Sequence, residues 1–150
     1  MTLRNHLLGS LMGTVLLALQ PAAACFADLV VVVNPMSGVD KVSREEVVNI
    51  FLGRSRRFAS GLSAKPADLP PSQAERALFY RLLIDRELTE INAYWARLVF
   101  SGRTTPPRQA TSVEDLLDFV GSTPGAIGYL DRTRVDGRVK MVLEFAPNRQ

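Results

Sequence analysis

Cysteine and histidine are almost absent from this chain: one of each occurs in 150 residues, Cys25 and His6, and both fall within the first 27 positions. Residues 28–150 therefore offer no thiol, no imidazole and no disulfide pair. If the N-terminus is removed, thiol nucleophiles, histidine general bases and Cys/His metal centres are excluded, and the domain must hold together by packing alone. An excess of either charge is also missing. The first 27 residues take one of the 18 Lys and Arg (Arg4) and none of the 15 Asp and Glu, so the remainder carries net +2. Nucleic-acid surfaces need a stronger basic balance with aromatics among the arginines. Here Tyr94 and Trp95 sit on an apolar stripe instead, and no nucleic-acid partner is expected.

The N-terminus is the one stretch with a long apolar run. Met1 to His6 is polar and carries Arg4, and Leu7 to Leu19 is 13 residues of mostly Leu, Val, Met and Ala. Gln20-Pro21 breaks it, and Ala22 to Ala27 are small residues around Cys25 and Phe26. A positive start, an apolar run and a small-residue end are the layout of a secretory signal peptide over residues 1–27. The run falls short of the ~20 residues that span a bilayer. Cleavage after Ala27 would leave a soluble periplasmic product beginning at Asp28. Cleavage before Cys25 would leave a lipoprotein anchored through that cysteine. Residues 28–150 are the size of one ordinary domain.

Leu29 to Asn34 is an unbroken β-branched run, as expected of a strand buried on both faces. Ser43-Arg44-Glu45-Glu46 has capping-box spacing before a helix with Val47, Val48, Ile50, Phe51 and Leu52, and Gly53 ends it. Ala64 to Leu69 reads as a strand. Ser72-Gln73-Ala74-Glu75 repeats the capping-box spacing before a helix with an Ala74, Ala77, Leu78, Phe79, Leu82 and Leu83 stripe. In Thr89 to Ser101, Ile91, Tyr94, Trp95, Leu98 and Val99 recur at helical spacing, with Gly102 as the stop. Arg103 to Ala110 is a connector. Thr111 or Ser112 caps a helix with Val113, Leu116, Leu117 and Val120 on one face. Ala126 to Leu130 and Val139 to Phe145 read as strands, with Asp136-Gly137 as a hairpin-like turn between them. The class is α/β, a mixed sheet flanked by helices, if the last two strands pair antiparallel.

Three stretches together resemble phosphate-type periplasmic substrate-binding proteins. Val47-Val48-Asn49-Ile50-Phe51-Leu52-Gly53 is similar to their helix ending in "IF-x-G". Thr123-Pro124-Gly125-Ala126-Ile127-Gly128-Tyr129 is similar to their "PGAIGY" segment. Tyr94 to Arg97 and Phe100-Ser101-Gly102 resemble short, single-lobe members. The resemblance implies a single lobe of a type II periplasmic-binding-protein fold and a phosphate-binding role. Full receptors close two lobes on the anion and carry a Ser-Gly-Thr turn. Counting back from Phe79, Pro70-Pro71-Ser72-Gln73 occupies that place, with Ser72 the one hydroxyl kept.

The expected ligand is a small oxyanion, phosphate included, because helix N-termini present unpaired N–H groups to negative charge. Two such places exist, Ser37-Gly38 and Ser72-Gln73; each also reads as a plain turn or cap, and the expectation is one oxyanion held by Ser37, Gly38, Ser72 and Gln73 together. Arg76 either assists an anion or is a solvated surface charge. Arg54, Arg56 and Arg57 form the densest basic cluster, either a partner surface or a solvated loop balanced by Glu45 and Glu46. Enzyme chemistry is not expected, with no cofactor and no metal. Asp115 and Asp118 share a helix face opposite its apolar stripe, and Asp68 is the acid nearest Ser72. The leading expectation is a solute-binding domain for an ABC transporter or sensor. The alternative is an envelope domain that has lost its ligand and docks on a transporter, channel or sensor; self-association completing a two-lobe cleft is a third possibility.

Overall fold

The computed structural model describes residues 28–145. The expected signal peptide, with Arg4, His6, Cys25 and both cleavage alternatives, lies outside the described residues. Five strands form one mixed sheet: β1 (Leu29–Val33), β2 (Lys65–Asp68), β3 (Arg108–Gln109), β4 (Ala126–Asp131) and β5 (Lys140–Glu144). Four helices accompany them: α1 (Arg44–Phe51), α2 (Ala74–Ile84), α3 (Leu88–Phe100) and α4 (Val113–Ser122). The sheet order is β3-β2-β4-β1-β5.

The most apolar strand sits inside the sheet. All five residues of β1 are buried, and β1 pairs antiparallel with β4 on one side and β5 on the other. This corrects the expected hairpin: β4 and β5 do not pair with each other. The connection between them passes the end of β1 through a 3-10 turn, Arg132–Arg134. Arg132 N–H donates to the Asp28 carbonyl, and its guanidinium bridges Asp28 and Glu144. Two flanking strands satisfy every edge of the valine run, which a terminal hairpin would leave half open. β2 runs parallel to both β3 and β4, so the sheet is mixed as expected, by another route.

Both faces are covered. Side chains alternate along β4, and Gly128 lies against Leu116 of α4. Tyr129, on the opposite face, stacks on Phe79 of α2 with ring centroids 3.7 Å apart, and both rings meet Phe51 of α1 edge-on. Each such pair adds about 0.5–1.5 kcal/mol beyond area burial. The α4 stripe is buried as expected: Val113, Leu116, Leu117 and Val120. Ser112 is its cap, accepting from the Asp115 N–H. Asn34 ties the other end of β1 to α4, its Nδ2 donating to the Val120 and Gly121 carbonyls. Gly125 takes φ +80°, and a Cβ there would stand 2.1 Å from the Ser63 carbonyl oxygen. The turn into β4 therefore admits no side chain.

Three helix expectations are corrected. Ser72 does not cap α2; Gln73 holds that position, with no side-chain hydrogen bond to the first turn. Of the expected α2 stripe Phe79 and Leu83 are buried, but Arg76 and Tyr80 complete that face, leaving Ala77, Leu78 and Leu82 half-buried and Ala74 exposed. On α3, Ile91 and Trp95 are buried but Val99 is exposed. Its N-terminus carries a capping box between Glu87 and Glu90, one residue before the expected start. At α1 the Ser43 cap forms, while Glu46 accepts from the Ala59 N–H.

Candidate functional site

The site is built around the buried charge. Among the described residues the buried polar or charged side chains are Asn34, Asp68 and Arg76, and two of them meet. Asp68 closes β2 and is 4% exposed; Arg76, in the first turn of α2, is 9% exposed. Arg76 Nε donates to Asp68 Oδ2 at 3.1 Å, and Tyr80 OH donates to the same oxygen at 2.9 Å. Tyr129 OH donates to Oδ1 in a short contact and accepts from the Leu69 N–H at 3.2 Å.

Local structure explains the convergence. The β2–β4 register sets Lys65 opposite Ala126 and Pro66 opposite Ile127. Two residues further on, Asp68 and Tyr129 stand side by side on one sheet face. α2 lies over that face, and the spacing of Arg76 and Tyr80, one helical turn apart, brings both onto the carboxylate. Three donors thus engage both oxygens of Asp68, so its carboxylate is charge-paired and hydrogen-bonded on each side.

Burial, and then the negative charge of Asp68, push the Tyr80 phenol well above its ordinary value near 10; the same two causes act on Tyr129. Both phenols stay protonated donors across the physiological range. Because their folded values are raised, their contribution to stability is complete below pH 10 and is lost as pH rises past it, where the unfolded chain ionises first. Each then lowers stability by about 1.4 kcal/mol per pH unit. Circular dichroism against pH should show unfolding above pH 10 coincident with tyrosinate absorbance; tyrosinate from both residues in a fully folded protein would contradict this.

Beside the pair lies an open groove of about 630 Å³, lined by Arg76 and Asp68 at its floor and by Trp95, Val99, Phe100 and prolines along its walls. Gln109, the last residue of β3, also lines it. The groove thus opens beyond the carboxyl ends of the parallel strands β2 and β3. The chain leaves β2 for β3 through α2 and α3, and then crosses β2 through α4 to reach β4. Such a point, where connections diverge on either side of a strand, is where open α/β sheets bind ligands. Arg76 uses its Nε edge on Asp68, and its Nη groups donate to no described residue. The Trp95 indole N–H is buried and likewise has no partner among the described residues.

The expected site residues scatter around this feature. Ser72 and Gln73 fall between the lining residues Pro71 and Arg76 without lining the groove themselves. Ser37 and Gly38 follow the end of β1, which the pairing Val33–Ile127 sets at the amino end of β4 and β2. Ser72 and Gln73 follow the opposite end of β2. With strands rising about 3.3 Å per residue, more than 10 Å of sheet separates the two. One small ion does not reach both pairs. Ser37 instead closes a three-residue 3-10 turn, its Oγ accepting from the Val39 N–H. Arg76 is not a surface charge but the floor of the groove.

The basic cluster is also divided. Arg54 borders a depression of about 330 Å³ with Arg86, Tyr94 and Arg97. Arg56 donates to Thr104 Oγ1 across another of about 260 Å³. The Arg57 guanidinium folds back onto the Gly61 carbonyl. All three are exposed, and Glu46 accepts from a loop N–H rather than from any of them. Asp115 and Asp118 are held by Arg108 and Arg138.

No family model matches the chain, and no curated protein matches it by sequence. Solved structures do. An ABC-type phosphate transport receptor from Vibrio cholerae aligns with 77% of this chain and 45% of its own, at 18% identity and a TM-score of 0.60. A putative phosphate ABC transporter substrate-binding protein with bound phosphate, from Clostridium perfringens, gives 77% and 44%, 13% identity and 0.61. The chain has the fold of one lobe of a phosphate receptor. PstS from Borrelia burgdorferi, at 12% identity and 0.57, agrees, with 46% of its length covered. This chain spans less than half the length of each of these receptors. The resemblance drawn from "IF-x-G" and "PGAIGY" thus holds for the fold. The groove itself was not read from sequence. The available signal was the Arg76, Phe79, Tyr80, Leu83 spacing, which sets a charge on a buried stripe.

Proposed function

We propose that the chain is an exported solute-binding domain that takes a small oxyanion, phosphate the first candidate, in the groove floored by Arg76, in the service of an ABC transporter or sensor. The observation that carries the reading is the half-used guanidinium. Its Nε is fixed by Asp68, its Nη groups donate to no described residue, and Arg76 lines the groove. A guanidinium fixed on one edge offers a planar fork of donors to an oxyanion with little ordering left to do. The names of the neighbouring receptors support phosphate as the first ion to try. Export rests on the N-terminal layout, and the oxyanion can come from the periplasm.

Binding is favoured over catalysis because no base is free at the site. Both Asp68 oxygens accept hydrogen bonds, and both tyrosines are held protonated. The second reading, an envelope interaction domain, draws on the exposed Arg54, Arg56 and Arg57 and on Phe100.

Trp95 is the single tryptophan and lines the groove, so its fluorescence reports occupancy. Titration with phosphate, sulfate and acetate should give a saturable change for at least one, displaceable by another. No saturable response to any of the three at millimolar concentration would remove the oxyanion reading and leave the interaction reading in its place.

A further inference from the structure

We infer that the ligand is an organic anion, an acidic head group carried on an apolar body, with the head on Arg76 and the body along Trp95, Val99 and Phe100. This rests on the oxyanion reading and narrows it. The groove, at about 630 Å³, lies within the ~300–1,000 Å³ of sites that take drug-sized ligands. A five-atom tetrahedral ion fills a small part of it.

What surrounds the guanidinium is not what a bare ion needs. Full enclosure of an inorganic oxyanion calls for donors on all sides, yet beyond Arg76 the polar groups of the lining residues are the exposed amides of Asn92 and Gln109, the buried Trp95 indole N–H and an Asp68 whose two oxygens already accept. The remaining walls are apolar. Phe100, 96% exposed at the end of α3, and Val99, 52% exposed, stand unpaired beside the groove, while Trp95, 7% exposed, lines it one helical turn back. Large apolar side chains so exposed beside a half-satisfied charge match a molecule that is ionic at one end and greasy along its length. The Arg76–Asp68 pair is close to neutral overall, so long-range attraction for a free ion is weak there, and contact with an apolar body supplies what charge does not.

The test compares inorganic phosphate with phenyl phosphate by calorimetry on the mature protein and on Phe100→Ser, whose exposed position lets the variant fold. Phenyl phosphate should bind about tenfold or more tightly than phosphate to the wild type. In Phe100→Ser that ratio should fall toward one, with phosphate affinity unchanged. Equal affinities in the wild type, or a ratio that survives the substitution, would overturn this inference and leave the oxyanion reading standing. If neither compound binds, both readings fall. A dimer seen by sedimentation and dissociated by Phe100→Ser would assign the face to a second copy and overturn the inference as well.

Discussion

Asp68→Ala should lower the unfolding free energy by about 3–5 kcal/mol, the loss expected when one member of a buried ion pair is removed. The substitution strands three donors at once. The Arg76 guanidinium loses its counter-charge, and the Tyr80 and Tyr129 hydroxyls lose their acceptor. Each stranded neutral group alone costs about 1–3 kcal/mol, and the terms overlap because all share one site. Asp68→Asn keeps one acceptor oxygen and should cost less, about 1–3 kcal/mol. Urea unfolding followed by circular dichroism measures both. A loss under about 1 kcal/mol for Asp68→Ala would mean that the network does not hold α2 on the sheet.

Arg76→Gln should weaken oxyanion binding by about ten- to a hundredfold, the value of one or two charge-assisted hydrogen bonds. It also leaves the Asp68 carboxylate with two tyrosine donors, so part of the effect is on stability. Asp68→Asn separates the two. It destabilises the fold yet removes the charge that offsets Arg76, and phosphate should bind it more tightly than the wild type. A structural ion pair with no ligand would give no such opposition. Calorimetric titration of folded Asp68→Asn and Arg76→Gln with phosphate distinguishes the cases, since opposite shifts support the site and parallel losses do not.

The sequence carried the framework well where periodicity was strong. The valine run of β1, the α4 stripe and the Ser43 and Ser112 caps are all as expected, because each depends on residues near one another in the chain. The order of the strands was not legible. Asp136-Gly137 has turn chemistry, but whether β4 and β5 pair is decided by what β1 needs on each side, a tertiary matter. The two-residue β3 carries too little sequence to announce itself. At the proposed site, Asp68 and Ser72 lie in sequence beside the groove, and Arg76 is the residue that lines it and pairs with Asp68. Reading Arg76 as solvated followed from its charge, and only its helical spacing with Phe79, Tyr80 and Leu83 argued otherwise. Tyr129 is 61 residues from Asp68 in sequence, and no local pattern links them. Ser37 and Gly38 fail to join Ser72 because the antiparallel direction of β1 sends them to the far end of the sheet.

The most direct measurement is nitrogen-15 NMR of the arginine guanidinium groups during a phosphate titration. The Arg76 Nη resonances should shift and saturate with the same midpoint as the Trp95 fluorescence, while Nε, already on Asp68, moves little. Saturable fluorescence with the Arg76 Nη resonances unmoved would place the anion elsewhere and contradict the site.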